Sequence, residues 1–125
     1  MTWHKWVGKP HVTGDDPTTD PGCDCLLMVV RARQALGLPT PSLPQARNLI
    51  RLAQAGEHEA IQQWLAPHLI EATSPDEGFF TIFESAEQIG TAVMIGGGLL
   101  HVSHKRGVRW LPPSFITKFS WYDWA

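Results

Sequence analysis

Only two cysteines occur among the 125 residues, and they stand one residue apart as Cys23 and Cys25. That spacing is too short for an unstrained bridge, so no disulfide framework supports the fold. Reduced thiols are the expectation, which favours synthesis inside a cell. Charge is sparse as well: 18% of residues are Asp, Glu, Lys or Arg, and the formal balance is −2. Without a basic surplus, no electrostatic grip on nucleic acid is expected. No apolar run approaches the roughly 20 residues of a membrane span. The opening Met1-Thr2-Trp3-His4-Lys5-Trp6 lacks the apolar stretch of a secretory signal, so none is expected. Internal repeats and low-complexity tracts are lacking too, which excludes solenoids and fibres.

What is present suits one domain, 1–125, with a single packed core. Six tryptophans and ten prolines stand out, with Trp3, Trp6, Trp121 and Trp124 close to the ends of the chain. Large rings there predict anchored ends, held in the core or by a neighbouring subunit.

Local patterns divide the chain into loops, then helices, then strands. Residues 7–24 read as a loop punctuated by Gly8, Pro10, Gly14, Pro17, Pro21 and Gly22. A helix follows from Asp24, a good N-cap, to Gly37, a good C-terminal stop. Pro39, Pro41 and Pro44 break the chain before helices over 45–55 and 57–65, separated by Gly56. Strands are expected over 79–83, 91–95, 99–103, 108–111 and 120–124, with a helical turn over 113–119. The Gly96-Gly97-Gly98 triplet supplies the positive φ angles of a tight hairpin turn. Helices first and sheet afterwards make an α+β domain.

Chemistry concentrates at Gly22-Cys23-Asp24-Cys25-Leu26-Leu27, where a thiol falls on the opening turn of a helix. Unpaired amides and the helix dipole favour a thiolate there. The plainer reading of Cys25 is a small half-buried apolar residue, and of Cys23 a loop residue. His101 reads either as a catalytic imidazole or as a strand histidine bonded to backbone or to Ser103. His104-Lys105-Arg106 reads as a solvated turn. Cys23, Cys25, His101 and His104 together would suit zinc, but residues three apart in a strand face opposite ways, so no metal or other cofactor is expected.

The order Trp6-Val7-Gly8-Lys9-Pro10-His11, then Gly14, then Asp24-Cys25-Leu26-Leu27 resembles the NlpC-type cell-wall cysteine peptidases, particularly small members encoded with phage tail genes. Pro75-Asp76-Glu77-Gly78-Phe79-Phe80, the hairpin over 91–101 and the aromatic end Trp121-Tyr122-Asp123-Trp124 extend the resemblance over nearly the whole chain. It implies a papain-like fold with N-terminal helices packed on a C-terminal antiparallel sheet. By the same resemblance Cys25 is the nucleophile and His101 the imidazole that orients the base. The base itself aligns with Gly90, preceded by Gln88 and Ile89, and no histidine is near it. His11 replaces a tyrosine that lines the site in the family and, entering from the neighbouring loop, is a group that could rescue the missing base.

A triad without its central member does not turn over efficiently. The expected role is therefore structural: a virion component of the phage tail tip or baseplate hub, made in the host cytoplasm and contacting other tail-hub proteins. The alternative is an active endopeptidase or amidase that opens host peptidoglycan when the tail engages, using Cys25 with His11 or His101.

Overall fold

The structure, a computed structural model, describes residues 3–72, 76–84, 89–112 and 121–124. Its α+β organisation follows the expected order. A 3-10 turn at Trp3–Trp6 precedes three helices, α1 (Cys25–Ala35), α2 (Leu43–Gln54) and α3 (His58–Leu65). Six strands follow: β1 (Leu69–Ala72), β2 (Phe80–Glu84), β3 (Ile89–Ile95), β4 (Gly98–Ser103), β5 (Gly107–Leu111) and β6 (Trp121–Trp124). They form one antiparallel sheet in the order β1-β6-β2-β3-β4-β5. The helical turn expected over 113–119 lies outside the described residues.

Helix α1 begins where its cap dictates. The Asp24 carboxylate accepts hydrogen bonds from Leu26 N at 2.9 Å and Leu27 N at 3.3 Å, while its second oxygen accepts from Gly14 N at 2.9 Å. One side chain thus satisfies two orphan helix amides and pins the preceding loop. Helix α2 begins two residues earlier than expected because Ser42 and Gln45 form a reciprocal capping box. Pro44 sits in the first turn, where a missing N–H costs nothing, so it starts the helix instead of ending the loop.

Strand β1 escapes sequence reading. Its four residues show no alternation of exposed and buried positions, and it is held by pairing with β6, Leu69 opposite Trp124 through Ala72 opposite Trp121. The hairpin turn also differs in detail: Gly96 and Gly97 make the turn, with φ of 62° and 77°, whereas Gly98 pairs with Ile95 inside β4.

The sheet has two apolar faces. Toward α1 lie Val93, Ile95, Leu100, Val102 and Val108, packed with Met28, Val29 and Ala32. Away from it lie Ala92, Met94, Leu99 and Trp121. Leu27 and Val30 turn the other side of α1 toward Ala46 of α2. Trp3, Trp6, Trp121 and Trp124 are all buried, so the aromatic ends are anchored in the chain's own core. Beyond the 3-10 turn, residues 8 and 9 bond to β5 through Gly8 N to Val108 O at 2.8 Å and Val108 N to Lys9 O at 2.9 Å. Gly107 permits this approach: its φ is 72°, and a Cβ there would run into the Lys9 carbonyl.

Candidate functional site

Beyond the β5 contact, the chain runs back over the start of α1. Cys23 N donates to Pro10 O at 2.9 Å and Val12 N to Cys23 O at 3.2 Å, a parallel bridge between His11 and Cys23. This places His11, Asp24 and Cys25 together on the wall of one cavity of about 140 Å³. Val29, Val30, Leu49, Ile61, Phe80 and Trp124 supply most of its apolar lining.

Cys25 packs its half-buried side chain against the main core. Burial pushes its thiol up, and the Asp24 carboxylate adds to the shift. Contacts from Thr91 and from the Leu26 amide work in the opposite direction. The expectation of a thiolate at the helix start therefore fails for a specific reason. The sulfur is buried, and the residue that caps the helix is itself an anion that accepts from the same first-turn amides, so the helix start does not offset the burial. Cys23 is fully buried, and burial together with Asp24 raises its thiol as well. Its Sγ donates to Asp24 O at 3.5 Å, and the residue belongs to the main core.

The strand position that meets the sulfur is Thr91. Thr91 alternates with Val93 and Ile95 on the helix-facing side of β3, whereas Gly90 is one residue out of phase. On β3 it is therefore Thr91, and not Gly90, that meets the Cys25 sulfur, and its side chain carries a hydroxyl. The same phase governs His101. It stands opposite Ala92, whose side chain packs with Met94 and Leu99 on the far face, while Leu100 and Val102 point toward α1. His101 is therefore on the side of the sheet that Cys25 does not reach. Burial lowers its pKa, with Arg109 directly across on β5 and His104 nearby adding to the effect.

His11 is thus the sequence-derived partner that the fold brings to the same cavity as Cys25. Its ring lies against that of His104 with centroids 4.2 Å apart. Burial depresses its pKa, the neighbouring His104 depresses it further, and Asp24 opposes both. The neutral ring predominates at pH 7. His104, Lys105 and Arg106 are exposed, as a solvated turn should be. Among the described residues, no group of three or more His, Cys, Asp or Glu side chains is placed to hold a metal ion. The two thiols and two imidazoles considered for zinc are not gathered.

The loop that delivers His11 and Asp24 is fixed by an ion pair that sequence reading missed. Arg31 of α1 donates from Nε to both Asp16 oxygens at 3.1 and 3.0 Å and from Nη2 at 2.5 Å, while Asp16 also accepts from Thr18 N and Oγ1. Burial alone would raise the Asp16 carboxyl, but the Arg31 and Thr18 hydrogen bonds and the Arg31 charge hold it down at about 2. Because the folded pKa lies below that of the unfolded chain, the contribution is present above about pH 4 and is lost as pH falls through about 2. Asp16→Asn is expected to cost about 2 kcal/mol at pH 7, with the difference from wild type shrinking between about pH 4 and pH 2 in urea titrations. An equal difference at both pH values would show that the pair does not carry the loop.

No helix among the described residues is long and apolar enough to cross a membrane. Neither a scan against protein-family models nor a search of curated proteins finds a match for this chain.

Proposed function

We propose that this chain is a catalytically silent papain-like domain of the NlpC type, serving as a structural component of a phage tail tip or baseplate hub. Thr91 against the Cys25 sulfur is the observation that carries the reading. A hydroxyl does not take a proton from a thiol at neutral pH, and burial with Asp24 keeps that thiol protonated. The order of a cysteine-bearing first helix followed by an antiparallel sheet supports the papain-like assignment. The tail role rests on the sequence resemblance. The tryptophans near both ends are committed to the core, so a partner must dock elsewhere. Exposed Ile70 on edge strand β1 and half-exposed Trp110 on β5 offer apolar contacts on the two outermost strands.

A second reading has one observation in its favour: His11 and Cys25 line the same cavity. In that case His11 is the base of a cell-wall peptidase. Incubation with peptidoglycan separates the two readings. No release of stem-peptide fragments above a Cys25→Ala control is expected, whereas release abolished by both Cys25→Ala and His11→Ala would establish the peptidase. Mass spectrometry of purified tails from the encoding phage tests the structural role independently, and absence of the chain from those particles would overturn it.

A further inference from the structure

The cavity behind Cys25 joins two properties that conflict in an empty site. Its walls are mainly aliphatic and aromatic, from Val29 and Val30 of α1, Leu49 of α2, Ile61 of α3 and the rings of Phe80 and Trp124. Such a surface does not hold water well, since a buried water needs two to four polar partners. Yet on that wall Thr40 Oγ1 makes no hydrogen bond, and Thr91 Oγ1 has no partner beyond the neighbouring Cys25 sulfur. Thr91 is 3% exposed. A buried hydroxyl left unpaired is destabilising unless something else satisfies it. The two come from different elements, the connection between α1 and α2 and strand β3, so no single local strain accounts for both.

We infer that this cavity is a binding site for a small, neutral, mainly apolar molecule bearing one hydroxyl or carbonyl group. An apolar body replaces the water that the aliphatic walls reject, and the polar group pairs with Thr91 or Thr40. The volume of about 140 Å³ is close to that of cavities that admit a single benzene-sized ring. It admits a phenol or a short acyl group. Cys25 and His11 stand on the same wall, so an occupant covers the thiol. The inference does not depend on the scaffold reading, because silent and active domains would both contain this cavity.

The test uses 4-methylphenol and toluene as probes of the intact chain, followed by calorimetry and by iodoacetamide labelling of Cys25. Saturable binding of 4-methylphenol with a Kd of about 1 mM or tighter is expected, with Cys25 labelling slowed over the same concentration range. Thr91→Val, or Thr91→Val with Thr40→Val, should weaken 4-methylphenol about fivefold or more while leaving toluene within about twofold. Leu49→Phe, which fills the cavity, should abolish binding of both; should that variant fail to fold, Val29→Met serves the same purpose. Absence of saturable binding by either probe overturns the inference, as does 4-methylphenol binding that neither the threonine nor the cavity-filling variants change. Peptidoglycan assays have no bearing on these outcomes, so failure here leaves the scaffold reading intact.

Discussion

Thr91→His is expected to speed iodoacetamide labelling of Cys25 at pH 7 by about 100-fold. In the wild-type chain the thiol is raised by burial and by Asp24, so the thiolate is a trace species at neutral pH. Thr91 lies on the helix-facing side of β3 against the sulfur, and an imidazole at that position would form a thiolate–imidazolium pair. Thiols paired with histidine fall to pKa values of about 4–7, which turns a trace thiolate into the main form. The pH–rate profile should shift toward acid along with the rate. Hydrolysis should still be weak, because the orienting partner is missing: His101 opposes Ala92, so Val102 is the β4 residue that shares a face with Thr91. Adding Val102→His supplies that partner and is expected to raise peptide release above Thr91→His alone. A Thr91→His chain that keeps its native circular dichroism but labels no faster than wild type would contradict the placement of Thr91 at the sulfur.

That pair of substitutions also shows where sequence reading stopped. The helix-start cysteine and the hairpin were both legible, because each is written in contiguous residues. Phase was not. Strand side chains alternate with a period of two, so a one-residue slip moves a whole set to the wrong face. Expecting His101 beside Cys25 is one such slip; Thr91 and Val102 are the residues in phase. The run from Thr91 to Val102 gave little warning, since both faces of this sheet are apolar and polar–apolar alternation is weak. Strand β1 stayed hidden for a related reason. Leu69–Ala72 becomes a strand through β6, whose Trp124 pairs with Leu69, and nothing local marks it. The Asp24 cap was visible, but its effect on the neighbouring thiol was not, because the cap was read for the amides it satisfies and not for the charge it brings.

Arg33 was invisible for the opposite reason, since an arginine within a helix reads as a solvent-facing residue. Its side chain is fully buried, and its guanidinium has four neighbours. Nε donates to Pro39 O at 2.8 Å, Nη1 to Gly78 O at 2.6 Å and Nη2 to Asp123 Oδ1 at 2.6 Å, while the charge lies 5.5 Å from the centre of the Phe80 ring. One planar fork therefore ties α1 to the connection before α2, to the turn before β2 and to β6. Arg33→Ala is expected to cost about 3–5 kcal/mol, because it leaves two carbonyls and a carboxylate without their donor and opens space beside Phe80. For a chain of this length that corresponds to a fall in Tm of roughly 10–20 °C. Arg33→Lys keeps the charge but offers a compact ammonium that cannot reach three separated acceptors, so it should recover less than half of the loss. Asp123→Asn, which changes a carboxylate that is 33% exposed, should cost much less than either, about 1 kcal/mol. Thermal melts of the four chains check this order, and an Arg33→Lys chain as stable as wild type would show that charge alone, not the three-way hydrogen bonding, holds the helix to the sheet.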